Sequence, residues 1–540
     1  MTRTTIVTTA LTYANGPLHL GHMVEHIQAD IWVRNQRMQG NTCLFLSGDD
    51  AHGTPIMLRA NEQGITPEAM IASVQATHQQ DAKDFLIDYD YYGSTHSTNN
   101  QQLVYDIYNK LREQGLITTR PIEQAYDEQA GMFLPDRFVK GTCPSCKAAD
   151  QYGDNCDACG ATYSPIDLID PYSTVSNTTP TRRTSTHYFF TLSAIQSTLE
   201  TWIHQADIQP AVRNKLQEWL QSTLRDWDIS RDGPYFGFPI PDAENAFFYV
   251  WVDAPIGYFS ILQSYLESQG SEDFARFITP NSEDKLIHFI GKDITYFHGL
   301  FWPAMLHAAN YKRPDAIYAH GFLTVNGAKM SKSKGTFITA RTYLENLPPE
   351  YLRYYLATRL SDGVDDLDLH WEEFTQKINT DLIGKVINIA SRTSGFITKK
   401  FDGKLADQLH NRAIVDAALA KKSDIIQLYN ERRYSQATAT IMQLADTANQ
   451  YIAQQAPWQL SKDPDQALLV QQVCTTSLNL FKILITYLAP ILPETAAKSR
   501  DFLQVNDTSW EGADQLLLGH TIAPYRHLLT RVESQHIPTE

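Results

Sequence analysis

The segment from Thr4 to His22 limits the fold more than any other. Thr4 to Thr12 is rich in Thr, Val and Ile, as a buried strand is. Asn15-Gly16 is a turn signal, and Pro17 suits the first turn of a helix. The histidines of Pro17-Leu18-His19-Leu20-Gly21-His22 therefore open a helix that follows a strand. Three residues apart, they share one face beside the unpaired amides of a helix N-terminus. Two readings stay open from these letters: the imidazoles cap the helix, or they donate hydrogen bonds to a phosphate.

At 540 residues the chain exceeds a single core, which rarely grows beyond about 250–300 residues. With 43% hydrophobic and 20% charged residues it has the composition of an ordinary soluble protein. No basic segment leading into an apolar run marks a signal peptide. The longest apolar stretch, Leu478 to Leu492, is broken by Lys482 and Pro490 and is too short for a bilayer, so no membrane partner and a cytoplasmic location are expected. A net charge of −16 speaks against a protein that coats nucleic acid indiscriminately. It leaves room for a local basic face, and residues 385 to 435 carry one, from Lys385 and Arg392 to Arg432 and Arg433.

From Thr4 to about Gly115, short apolar strands alternate with amphipathic helices, the pattern of an open α/β sheet. His22 to Gln39 reads as a helix with Val24, Ile27, Ile31 and Val33 inward, and Cys43 to Ser47 as the next strand. Ligands in such sheets sit at the carboxyl ends of strands. Asp50, just past that strand, is placed either to hold an ammonium group or to cap a turn. Residues 117 to 231 break the rhythm and read as an insertion. Within it lie Cys143, Cys146, Cys156 and Cys159, two CxxC knuckles. Four thiolates close a tetrahedron around zinc and leave no open position, so this metal is structural. Cys43 and Cys474 stand alone and read as reduced core residues.

The α/β pattern resumes with Phe247 to Val252, read as an unbroken apolar strand, and Leu286 to Ile290, another. The strand ends and the helix Tyr296 to Leu306 are expected to bring Trp251, Tyr258, Ile294, His298 and Trp302 to one side of the sheet. Such a set suits a soft apolar side chain, because a thioether gains on the order of 0.3–1.5 kcal/mol at an aromatic ring. After the strand Ala316 to His320 comes a glycine-bounded loop with Lys329, Lys332 and Lys334, cationic enough to follow phosphates. From Asp381 onward the pattern is helical.

Lys329 to Ser333 spell KMSKS, following an HLGH. Together with the double knuckle, the Trp251-Val252-Asp253-Ala254-Pro255-Ile256-Gly257-Tyr258 stretch and Gly291-Lys292-Asp293, these motifs resemble the class I aminoacyl-tRNA synthetases over essentially the whole chain. The bacterial methionyl-tRNA synthetases with a four-cysteine insertion are the branch they resemble. The resemblance implies a Rossmann-like parallel-sheet α/β catalytic domain in two halves, residues 1–116 and 232–322. A zinc-binding insertion (117–231) would split it. A stem-contact segment (323–386) and an all-α anticodon-binding bundle (387–540) would follow.

It implies a reaction in two steps: methionine and ATP give methionyl-adenylate and pyrophosphate, then methionine passes to elongator and initiator tRNA(Met). Catalysis would fall to His19, His22, Lys329 and Lys332. ATP, carried with Mg²⁺, would meet Tyr13, His19, Gly21, His22 and Lys332. Methionine would meet Leu11, Tyr13, Asp50, Trp251, Ala254, Pro255, Tyr258, Ile294, His298 and Trp302, with Tyr258 and His298 offering donors to its sulfur. Asn388, Arg392 and Trp458 would read the anticodon; one departure is Ala453-Gln454-Gln455, where many relatives carry an acidic residue before Pro-Trp. No editing domain is visible. Without the family's C-terminal dimerisation extension, a monomer is expected. Synthetases for isoleucine, valine or leucine share both signatures but are much longer and lack the aromatic set.

Overall fold

The computed structural model describes residues 3–330 and 337–538. Seven parallel strands form the central sheet. Thr4–Thr9 lies in its middle, with Thr42–Asp50 on one side and Lys285–Gly291 on the other. Tyr91–Ser94 extends the first side, and Ala316–His320 then Asp207–Ile208 extend the second. Chain order thus reverses direction at Thr4–Thr9, and the crevice of such a switch point opens at the carboxyl ends of its strands. Thr12–Tyr13 continues along Thr42–Asp50 with a slip, since Thr8 faces Leu46 while Thr12 faces Asp49. The slip re-aims Ala10 and Leu11 toward the crevice.

Alternation along the strands separates two cores. Val7, Phe45, Ile287 and Phe289 join the helix Leu20–Met38 and a core continuous with the C-terminal bundle. Ile6, Leu46, Leu286 and Ile290 pack on the opposite face with Tyr108 of Thr98–Glu113 and Phe259 of Val250–Ser268. Helix Leu20–Met38 is buried nearly all round, which explains its apolar residues beyond the expected four.

Three sequence expectations change. The run Phe247 to Val252 is not one strand: Ala246–Phe248 is a strand, and a helix begins at Val250. An unbroken apolar run does not distinguish the two by period. Trp251 therefore sits in the first turn of a helix, with Pro255 inside it. The stretch Tyr296 to Leu306 is not a plain α-helix, since Phe297–Phe301 is a π-turn leading into Trp302–Ala308. The region read as one insertion to 231 rejoins the central sheet earlier, where Asp207–Ile208 pairs with Ala316–Ile317. Its outer part is a four-stranded sheet plus the three-stranded knuckle lobe.

Trp371–Lys377, a π-segment Ile378–Ile387 and Asn388–Lys400 run on as helix into the bundle. There, Pro464–Leu488 is long and apolar enough to cross a membrane, which corrects the estimate of a shorter stretch. Most of its most apolar stretch (78%) is buried inside the protein, as in a bundle's central helix.

Candidate active site

The helix Leu20–Met38 starts with its two histidines as a reciprocal cap. His19 Nδ1 accepts from the Gly21 amide at 3.1 Å, and His22 Nδ1 accepts from the His19 amide at 3.2 Å. The rings stack with centroids 3.7 Å apart. Burial holds His19 down at about 4 and His22 well below its ordinary value, so both are neutral at pH 7. A neutral imidazole whose Nδ1 accepts must carry its proton on Nε2. The cap thus fixes the tautomer and leaves each ring one Nε2–H donor.

The chain beyond the lysine loop is stitched to this cap. Leu20 N donates to Ile338 O at 3.1 Å and Ala340 N to Leu18 O at 2.9 Å. Phe337 sits edge-on to the His19 ring. A Cβ on Gly21 would lie 2.6 Å from Met330 Cε and 2.9 Å from the His19 ring, so this close approach requires glycine. Lys329 ends the two-residue strand Ala328–Lys329, paired with Leu323–Val325. Lys332 lies outside the described residues.

A cleft of ≈ 700 Å³ opens here. Of the expected residues, Leu11, Tyr13, His19, Gly21, His22, Asp50, Trp251 and Ile294 line it. Ala254, Pro255, Tyr258, His298 and Trp302 do not; they are buried. His298 Nδ1 donates to the Ile294 carbonyl at 3.0 Å, so its Nε2 accepts the Tyr258 hydroxyl proton at 2.7 Å. Neither group retains a donor for a sulfur atom, which corrects that expectation: Tyr258 fixes His298 instead. Trp302 donates to His288 Nε2 at 3.1 Å, leaving His288 Nδ1 against Thr8 Oγ1 at 2.6 Å. Above them Trp251 stacks on Phe297 and Trp227 on Phe301, each with centroids 4.0 Å apart.

Asp50 is buried, and its Oδ1 has no hydrogen-bond partner among the described residues. Burial, then the nearby Asp253 carboxylate, raises it well above the usual carboxylate range. Asp253 pairs with His52 Nδ1 at 3.0 Å, and His52 Nε2 meets His96 Nδ1 at 3.0 Å. A buried carboxylate oxygen without a partner is costly unless a cation or donor arrives, so the site fits an ammonium group.

Sequence reasoning missed other cleft residues. Glu25 and His26 follow His22 by three and four positions, a helix-face spacing that could have found them. Arg231, Tyr235, Tyr249 and Phe322 also line the cleft. Arg231 lies 3.8 Å over the Tyr249 ring. No local pattern marks these four: Arg231, Tyr235 and Tyr249 are placed by strand Ser230–Asp232 pairing with Ala246–Phe248, and Phe322 by the turn between Ala316–His320 and Leu323–Val325.

Away from the cleft, the four knuckle sulfurs lie within 4.8 Å of one another, and none is in a disulfide. Two of the separations are 3.5 and 3.9 Å. A tetrahedron with metal–sulfur bonds of about 2.3 Å has edges of about 3.8 Å, so the cluster fits a metal ion. The knuckles are built alike. Lys147 N donates to Cys143 O and Gly160 N to Cys156 O, and both residues take a positive φ, 65° and 72°. In the bundle, the Arg392 guanidinium lies 4.6 Å over the Trp458 ring. Asn388 Nδ2 donates to Asn449 Oδ1 at 3.4 Å.

The parallel sheet with paired histidines at its switch point fits a class I tRNA synthetase. The family model for tRNA synthetases class I (M) matches residues 5–394, and that for the anticodon binding domain of methionyl tRNA ligase matches 404–536. The chain belongs to the methionyl-tRNA synthetase family. Its activity is that of a methionine–tRNA ligase. The Mycobacterium tuberculosis methionyl-tRNA synthetase in complex with methionyl-adenylate superposes with TM-score 0.81 at 25% identity, covering 97% of this chain and 99% of that one. A second structure of that enzyme bound by methionyl-adenylate gives TM-score 0.81 at 25% identity, covering 97% and 100%. Its apo form gives TM-score 0.74 at 23% identity over 99% of both chains, a likeness of fold.

Proposed function

We propose that the cleft at the switch point is where methionine and ATP react, with Asp50 holding the α-ammonium and His19 and His22 donating from Nε2–H to the phosphates. One observation carries this reading: an unpartnered buried carboxylate oxygen and two fixed imidazole donors line the same cleft. With the ammonium held, the methionine carboxylate attacks the α-phosphate, and pyrophosphate leaves. Charge grows on the phosphate oxygens, and the Nε2–H groups are already aimed, so no donor has to reorganise. ATP enters as its Mg²⁺ complex. Lys329 and Lys332 would join from the lysine loop. Leu11 and Tyr13 line the cleft beside Asp50. Trp251 and Ile294 give the thioether its apolar walls, and Ala254, Pro255, Tyr258, His298 and Trp302 set the shape beneath them.

Cys143, Cys146, Cys156 and Cys159 would hold one Zn²⁺ in a closed site, so the ion would stiffen the knuckle lobe. Asn388, Arg392 and Trp458 form the proposed anticodon contact, where a base stacked on an aromatic ring contributes about 1–3 kcal/mol. The same site would serve elongator and initiator tRNA(Met), and the enzyme would act in the cytoplasm. The residue roles are tested by comparing ATP–pyrophosphate exchange with tRNA charging. Trp458→Ala should damage charging and spare exchange, whereas Lys332→Ala should slow exchange and spare methionine binding. Loss of exchange in Trp458→Ala would mark that residue as structural, and intact exchange in Lys332→Ala would remove the lysine from the reaction.

A further inference from the structure

Arg231 is a cationic side chain in the cleft, and it stands between two carboxylates in the sequence, Asp228 and Asp232. A guanidinium so placed would ordinarily pair with one of them and be lost to the substrate. Asp228 Oδ2 is indeed only 3.7 Å from Arg231 Nη1. Both carboxylates, however, already have a nearer partner. His187, on strand Thr181–Phe190, is 2% exposed, with Nδ1 at 2.7 Å from Asp228 and Nε2 at 2.9 Å from Asp232. Only an imidazolium has two N–H donors, so only the charged ring satisfies both acids.

Resting on the reading of the cleft given above, we propose that His187 is a positioning residue for Arg231. As a cation it ties up Asp228 and Asp232. The guanidinium, which gives one N–H to the Ser230 carbonyl and has Asp136 nearby, keeps its remaining donors for an anionic group of the substrates, a carboxylate or a phosphate. Burial disfavours the charge on His187, but the hydrogen bonds to Asp228 and Asp232 outweigh it and push the ring up to about 9. The other groups around it do not replace that cation. Gln124 donates to Ser185 and Asp232. Ser185 also donates to Asp232. Arg120, opposite His187 in the neighbouring strand, lies over the Phe189 ring and pairs with Asp226. Above about pH 9 the ring keeps one proton and donates to only one of the two acids. Asp232 still accepts from Gln124 and Ser185, whereas Asp228 keeps only its Ser230 donors and draws Arg231 toward it.

The test is methionine-dependent ATP–pyrophosphate exchange by the full-length enzyme from pH 6.5 to 10. Wild type should lose kcat/KM as pH rises through about 9. His187→Gln should be slower at pH 7.5 by on the order of tenfold and lack that limb. His187→Gln with Asp228→Asn should recover most of the loss, because the carboxylate 3.7 Å from Arg231 is gone while Asp232 keeps Gln124 and Ser185. The double variant also removes one of the two acids that His187 neutralises, so it keeps the test open if the single variant does not fold. Wild type without a limb near 9, or a double variant folded yet no faster than His187→Gln, overturns the proposal. Absence of methionine-dependent exchange in wild type would instead overturn the reading of the cleft.

Discussion

At the residue scale, His19 and His22 show why motif letters understate chemistry. Capping and phosphate donation looked like alternatives in the sequence, yet the cap is what commits Nδ1 and leaves Nε2–H for a ligand. Two changes test the neighbouring assignments. Tyr258→Phe strips the hydroxyl proton from His298 Nε2 and leaves a buried acceptor unpaired, which should cost about 1–3 kcal/mol and lower the melting temperature. An unchanged melting temperature would mean the pair is not formed. Asp50 carries a pH dependence. Its carboxyl is raised by burial and by Asp253, and ammonium binding needs it ionised. Methionine affinity should therefore weaken on acidification at a higher pH than an ordinary carboxylate would set. Removing the neighbouring charge with Asp253→Asn should move that fall to lower pH, read as KM for methionine in exchange; an unmoved fall would uncouple the two acids. The sequence marked Asp50 by its place after a strand. It gave no sign of Arg231, whose place in the cleft depends on an antiparallel pairing between distant segments.

At the scale of elements, the knuckle lobe was legible because two CxxC pairs are a local pattern with one tetrahedral solution. The pairing of the sulfurs and the left-handed turn at Lys147 were not. Lys147 occupies the position that Gly160 fills in the twin knuckle, and an L-residue there costs about 1 kcal/mol or more. Lys147→Gly should therefore hold metal at least as firmly as wild type against a chelator, whereas loss of metal would show that the lysine side chain matters. The helix beginning at Val250 and the π-turn at Phe297–Phe301 escaped the sequence reading for a different reason. The run into Val250 is apolar without a break, so period carries no information there, and widening of a helix by one residue has no letter code.

At the scale of the whole molecule, the helix that carries His19 and His22 also anchors the C-terminal bundle. Asn430 Oδ1 accepts from Asn35, Gln36 and Gln39 at 2.9, 2.7 and 3.0 Å, and Trp510 donates to Asn35. Deeper in, Arg353 pairs with Asp30 at 2.6 Å, both fully buried, and donates to the carbonyls of Ile491 and Pro490. Such partners lie hundreds of residues apart, which is why composition and motifs outlined the domains but not their docking. Arg353→Met leaves Asp30 with Arg34 and the Asp88 amide and should destabilise the protein by about 3 kcal/mol, measured by denaturant unfolding; a neutral result would mean that the pair does not join the domains. Whether this cleft activates methionine is read from ATP–pyrophosphate exchange with purified enzyme across a panel of amino acids. Exchange should be driven by methionine and not by isoleucine, valine or leucine, and be abolished or strongly slowed in Asp50→Asn. Exchange driven by one of the branched amino acids but not by methionine, or undiminished in Asp50→Asn, would contradict it.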